Sequence, residues 1–321
     1  MNSNKIAIIG AGLIGRSWAV LFLRAEYNVT IYDIDPNQIK LAIKAIKDKI
    51  YQLPFEGLLQ GHNPSDIYQR LSWSTDLGTT LENAILVQEC VPEIIELKVN
   101  IFSIIDKYAS DTLIMASSSS CIKPSEFTEN LQHRNQCLVA HPVNPPYYIP
   151  LVELVSAPWT SPSIIESTYN IMKNIGQKPI ILHKEINGFV LNRLQYALLM
   201  EGWRLVEDGI CSPSDIDIAV THGLSPRWSF MGPFQTIDCN ANGVYDYCEK
   251  YGETITQICH EQENSRKMKG TETAKIIEND IRKITTSAGM EKLEDRIAWR
   301  DMKLAEYTRY KNKNKKKQYC R

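Results

Sequence analysis

The stretch "KIAIIGAGLIGRSWAVLFLRAEYNVTIYDID", residues 5–35, decides the fold. "KIAIIG" is a short β-branched run closed by glycine, and "LIGRSWAVLFLRAEY" then carries apolar residues at helical spacing. "NVTIYDID" returns as a second strand, which completes a β-α-β unit. At the first turn Gly10, Gly12 and Gly15 form G-x-G-x-x-G, a weak signal alone that gains force between a strand and a helix. Gly10 permits the tight turn, Gly12 lets backbone approach a pyrophosphate, and Gly15 lets the helix pack on the sheet. Leu13 and Ile14 open the helix, whose first N–H groups offer donors to an anion. Asp33 ends the second strand 23 residues past Gly10, where a carboxylate accepts hydrogen bonds from an adenosine ribose. A 2′-phosphate about 4 Å away would meet a repulsion of up to about 4 kcal/mol at an effective dielectric of about 20. No arginine follows to relieve it, so NAD is expected over NADP. The alternative is a glycine-rich turn and a capping aspartate in a domain that binds nothing.

Beyond this unit, "PNQIKLAIKAIKDKIYQL" has Pro36 at a helix-opening position and a continuous helical pattern. Strand candidates recur at "AILVQEC", "TLIMASS", "QCLVAH", "LVELV" and "KPIILH", with helical patterns between several of them. Such alternation implies an α/β fold, a Rossmann-type domain built on a mostly parallel sheet. After about residue 185 helical patterns dominate, so the expected organisation is a dinucleotide-binding domain over 1–185 and an all-α domain over 186–321. "NGFVLNRLQYALLMEGWRLVEDG" is apolar on nearly every face and is expected to be a buried central helix ending at Gly209. In "SPSDIDIAV", Ser212, Pro213 and Asp215 stand as a capping box with proline at the first helical position.

Composition bounds the function. Hydrophobic residues make up 43% and charged residues 23% of 321 positions, with a formal net charge of -1, ordinary values for a globular protein. Nothing in them suggests nucleic acid, and no apolar run reaches the roughly 20 residues of a membrane span. The N-terminus runs directly into a strand pattern, leaving no room for a secretory signal. The eight cysteines are scattered without metal-ligand spacing, which points to reduced thiols in the cytoplasm and to no metal. The Lys-rich tail "YKNKNKKKQYCR" reads as a solvated end.

The candidate chemistry lies in "VAHPVNPPYYIPLVELV", residues 139–155. Oxidising an alcohol requires a base with pKa near neutrality, and histidine fits. A carboxylate on its other ring nitrogen fixes the tautomer and stabilises the imidazolium. His141 sits at the end of one predicted strand and Glu153 on the next, and the prolines between them stiffen the connection. The plain alternative is a strand-end histidine bonded to backbone and a solvated glutamate.

The sequence resembles the 3-hydroxyacyl-CoA dehydrogenase superfamily and, within it, the lambda-crystallin branch, also called L-gulonate 3-dehydrogenase. The likeness runs through "IIGAGLIGRSWA", "VQECVPE", "SSSSC", "AHPVNPPYYIPLVELV", "GFVLNRLQYA" and "RLVEDGICSPSDID". It implies His141 as base, Glu153 as its orienting partner, Ser120 as a donor to the reacting oxygen and Asn192 as a second substrate-positioning group. Cofactor contacts by Glu93, Lys98 and Asn144 are also implied. Taken as residues alone, Ser120 could equally cap the next helix, and Asn192 could bond to another helix. The segments "EGLLQGHNPSD" and "HEQENSRKMKGTETAKIIENDIRK" match no family pattern.

Three functions follow. The first is NAD-dependent oxidation of a hydroxyl β to a carboxylate, L-gulonate to 3-dehydro-L-gulonate being the reaction the resemblance implies. The second is a 3-hydroxyacyl-CoA dehydrogenase, for which Lys40, Lys44 and Lys47 on one helix face could meet CoA phosphates. The third is a crystallin-like structural protein that keeps nucleotide binding without chemistry. For a free acid, Arg227 in "GLSPRWSFMGPF" is the candidate carboxylate partner, on a segment expected to be a rigid loop; alternatively it stacks on Trp228. A homodimer through the C-terminal half is expected, because helix 187–208 needs more cover than the about 110 residues after it supply.

Overall fold

The computed structural model describes residues 4–59, 61–262 and 265–314, so most of the Lys-rich tail, with Cys320, lies outside the described residues. Eight strands form one sheet: β1 (Lys5–Ile9), β2 (Asn28–Tyr32), β3 (Leu71–Ser74), β4 (Ala84–Glu89), β5 (Ile114–Ser117), β6 (Cys137–Pro142), β7 (Leu151–Ser156) and β8 (Lys178–Leu182). Their order is β3-β2-β1-β4-β5-β6-β7-β8. Every neighbouring pair is parallel except β6 with β7. The connection 143–150 is too short for a crossover helix, which leaves a reversal as the way to pair these two strands.

Helix α1 (Leu13–Arg24) follows the glycine turn and α2 (Pro36–Gln52) follows β2, capped by Asp35, whose carboxylate accepts from Asn37 N. Alternate residues of β1 enter two cores. Ile6 and Ile8 pack with Trp18, Leu21 and Phe22 on one face, Ala7 and Ile9 with Val87 and Phe102 on the other. Each fully buried Val, Leu, Ile or Phe among them contributes roughly 1.5–3 kcal/mol. Strand β3 was not among the strand candidates. It is a four-residue edge strand with Ser72 and Trp73 exposed, held to β2 by backbone pairing and a 2.8 Å Thr30–Ser72 side-chain bond, so its apolar signature is slight.

The described residues divide into two compact units, 4–192 with 301–313, and 193–300. By its contacts the first unit runs on to Asn192, past the 1–185 span expected of the dinucleotide-binding domain, and the end of the last helix belongs with it. Glu153 explains the first difference, since it accepts from Val190 N and Leu191 N at 2.8 and 3.0 Å and ties the start of the next helix to the sheet. Ala305, buried in the first core, explains the second.

In the second unit the capping box at Ser212 and Asp215 is formed. Two expectations are corrected. The helix Leu191–Glu207 is not buried all round: only Trp203, Arg204 and Val206 are buried, while Leu194 is 63% and Leu199 46% exposed. Among the described residues its apolar face is covered only in part. Residues 219–228 are not a loop but a π-helical turn running into a short helix, Ser225–Trp228, because Pro226 is accommodated in the first turn.

Candidate active site

The glycine turn has the geometry of a dinucleotide cradle. Gly10 has φ of +103°, and a Cβ there would lie 2.7 Å from the Cys90 carbonyl oxygen; a Cβ on Gly15 would lie 1.9 Å from the Gly10 oxygen. A Cβ on Gly12 would meet nothing within 4 Å, which leaves open space at the N-terminus of α1. No side chain caps that terminus, so its N–H groups remain for an anion. Asp33 accepts from Ala11 N at 2.8 Å and from Asp35 N at 3.0 Å, locking the end of β2 to the turn. Each oxygen keeps a second lone pair for a ribose hydroxyl. These residues fit NAD.

His141 and Glu153 are directly opposite each other in the β6–β7 ladder. His141 Nδ1 is 2.8 Å from Glu153 Oε2, and Glu153 is fully buried. Burial alone would raise the Glu153 pKa; the hydrogen bonds from His141 and from the Leu191 and Val190 N–H groups more than offset it and hold the carboxyl below its ordinary value. With an ionised acceptor on Nδ1, that nitrogen carries the proton and Nε2 keeps the lone pair. The alternative of a solvated glutamate does not hold.

The serine run after β5 is organised by Glu93. Its Oε1 accepts from Ser119 Oγ at 2.6 Å, Ser120 N at 2.9 Å and Cys121 N at 3.1 Å. Its Oε2 is 3.3 Å from Lys98 Nζ, which also bonds both oxygens of Glu89 at 3.1 and 3.0 Å. Lys98 is 1% exposed, so it is not a surface residue. Glu89 is fully buried and also accepts from Ser117 Oγ at 2.5 Å. Glu89 was not singled out in the sequence, although a glutamate inside the apolar run "AILVQEC" is a signal, since a buried charge must find a partner. Ser120 caps no helix, the next one, Ser125–Thr128, starting beyond Pro124. Instead the Ser120 carbonyl accepts from Asn192 Nδ2 at 2.9 Å, which satisfies the Asn192 amide and brings the two residues together.

Asn144 is exposed on the connection 143–150. Arg227 lies in the second unit, exposed, with Nη2 3.5 Å from the Gly223 carbonyl. Of the basic stripe on α2, Lys44 pairs with Asp48 at 2.6 Å and Lys47 lies 5.5 Å over the Tyr68 ring.

Residues 5–186 match the NAD-binding domain of 3-hydroxyacyl-CoA dehydrogenase, and residues 188–277 match its C-terminal domain. The chain belongs to the 3-hydroxyacyl-CoA dehydrogenase family. A lambda-crystallin homolog from Bos taurus is 44% identical over 305 residues, 94% of each chain, which places the sequence in the lambda-crystallin branch. L-carnitine dehydrogenase from Oceanobacillus iheyensis is 35% identical over 253 residues, 78% of this chain and 81% of the other. Among solved structures, the NAD+-dependent 5-formyl-3-hydroxy-2-methylpyridine 4-carboxylic acid 5-dehydrogenase shares the fold, with a TM-score of 0.79 at 24% identity over 96% of this chain and 97% of the other. As a member of the 3-hydroxyacyl-CoA dehydrogenase family, the protein is an NAD-dependent enzyme that oxidises a hydroxyl group. Among the described residues no helix is long and apolar enough to cross a membrane.

Proposed function

We propose that this enzyme oxidises a hydroxyl β to a free carboxylate, with L-gulonate to 3-dehydro-L-gulonate as its reaction. The observation that carries the reading is the His141–Glu153 pair, a buried imidazole whose Nδ1 is held by an ionised carboxylate at 2.8 Å. Bound NAD supplies the hydride acceptor. His141 Nε2 takes the hydroxyl proton, and Glu153 stabilises the imidazolium that results. Ser120 Oγ donates to the reacting oxygen, and Asn192, linked to the Ser120 carbonyl, positions the same part of the substrate. Glu93, Lys98 and Asn144 serve the cofactor, with Gly10, Gly12, Leu13, Ile14, Gly15 and Asp33 cradling its adenosine and pyrophosphate. Arg227 takes the substrate carboxylate through a bidentate guanidinium contact.

A free acid is favoured over a CoA thioester because the basic stripe on α2 is partly committed, Lys44 to Asp48 and Lys47 to Tyr68. Following NADH absorbance with L-gulonate, 3-hydroxybutyrate, carnitine and 3-hydroxybutyryl-CoA tests the assignment; turnover of the thioester alone overturns it. The protein works as a homodimer in the cytoplasm. Supporting the dimer is an apolar groove of about 310 Å³ in the second unit, lined by Leu198, Leu199, Trp203, Val206, Ile277 and Ile281. Supporting the compartment are the seven described cysteines, all free thiols.

A further inference from the structure

A second buried polar cluster lies away from the His141–Glu153 pair, and the chemistry does not use it. Lys49, on α2, bonds both oxygens of Glu56 at 2.9 and 3.1 Å and the Tyr148 hydroxyl at 2.5 Å. The Tyr148 hydroxyl donates to Glu56 Oε1 at 2.8 Å. Lys49 Nζ also lies 4.6 Å from the ring centroids of both Tyr147 and Tyr148. The Lys49 and Glu56 side chains are nearly buried. Burial, followed by the Glu56 carboxylate, pushes the Tyr148 phenol up, so it stays protonated as a donor.

Burying an ion pair adds little stability over a well-packed apolar pair, but it fixes direction, since each partner must point at the other. What is fixed here is the connection 143–150 between His141 and Glu153. Its carbonyls are held from three sides. Gln177 Nε2 reaches Pro146 O at 3.4 Å, Lys178 N reaches Pro150 O at 2.7 Å, and Thr308 Oγ1 reaches Tyr148 O at 3.3 Å. Thr308 belongs to the returning segment 301–313, where Leu304 and Ala305 pack into the first core. This segment lies past residue 277, where the match to the family's C-terminal domain ends. Glu56 belongs to "EGLLQGHNPSD", which lies within the matched NAD-binding domain. A loop of the matched NAD-binding domain and a segment past the matched C-terminal domain thus meet on one tyrosine.

The β6–β7 ladder aligns His141 with Glu153 by register alone, so the base does not depend on this cluster. Asn144 does, because it is exposed and its place follows from the backbone of the connection. We propose that Tyr148 is a positioning residue, gripped by Lys49 and Glu56 and backed by residues 301–313, that holds the connection where Asn144 meets the cofactor. The inference rests on the reading of Asn144 as a cofactor contact.

The test measures NADH dissociation constants by fluorescence titration on the full chain, with kcat at saturating NAD and its pH profile alongside. Tyr148→Phe is expected to raise the NADH Kd about tenfold while kcat and its pH profile stay as in the wild type. Thr308→Val, which leaves the buried pair intact, is expected to raise it about threefold and decides the matter if Tyr148→Phe does not fold. Unchanged NADH affinity in the variants, with or without a lower melting temperature, overturns the proposal and leaves the cluster structural. An altered kcat–pH profile also overturns it, since the cluster would then act on the base. Asn144→Ala binding NADH as tightly as the wild type removes the Asn144 step and the proposal with it. Failure of the wild type to bind NADH defeats the dehydrogenase reading instead.

Discussion

In the sheet unit Ile6, Ile8, Trp18 and Phe22 are fully buried by elements of the same unit, whereas in the helical unit Leu194, Phe234 and Tyr245 stand more than half exposed on regular helices. A sheet with helices on both faces closes on itself, since each strand residue points to one of two covered faces. A group of helices has no such closure, and every helix whose apolar stripe exceeds its neighbours' cover leaves surface for another body. The two units therefore differ in kind: the first buries a paired histidine and carboxylate, and the second leaves large apolar side chains exposed on its helices.

Changes at the paired site are expected to be the most damaging. His141→Ala should lower kcat by about 10²–10⁴ while NADH affinity stays unchanged, because general-base catalysis alone is removed. Steady-state kinetics with a parallel NADH titration checks this, and near-normal turnover would break the contrast. Glu153→Ala should destabilise the protein by about 3 kcal/mol in denaturant unfolding, since it orphans two backbone N–H groups as well as the His141 ring nitrogen. The pH dependence has a definite sign. The native Glu153 pKa is depressed, so its contribution is complete above the ordinary value of 4.5 and is lost as the pH falls through the lower native value. The difference between wild type and Glu153→Ala should therefore be constant at neutral pH and shrink in acid; a difference that grows in acid would mean that the carboxyl is not the ionised partner.

The helical unit should respond through association. Leu198→Asp, placed in the apolar groove, should weaken the proposed dimer by about 2 kcal/mol, visible by sedimentation as a shift towards monomer, while NADH binding by the sheet unit is retained. A wild type that sediments only as monomer at micromolar concentration would remove the contrast between the units. The smallest effect is expected at Arg227. Arg227→Met should raise KM for a free hydroxy acid about tenfold, or about 1.4 kcal/mol, without changing the melting temperature. A lower melting temperature with an unmoved KM would instead assign Arg227 to structure.

What could be foreseen divides along the same physical line. The β-α-β unit, the glycine turn, the capping box at Ser212 and the placing of His141 near the end of one strand and Glu153 on the next rest on contacts between near neighbours, or on steric needs that the residue itself carries. The sequence by itself determined these, because 2-residue and 3.6-residue periodicities and the freedom of glycine act locally. Only the tertiary structure decided that Lys98 lies buried between Glu89 and Glu93, that Asn192 reaches the Ser120 carbonyl, and that residues 301–313 return to the first unit. It alone also decided that the apolar helix Leu191–Glu207 is largely exposed in the single chain. Those outcomes join residues from separate elements, and hydrophobic patterning records that a side chain wants cover or a partner without recording which distant part of the chain supplies it.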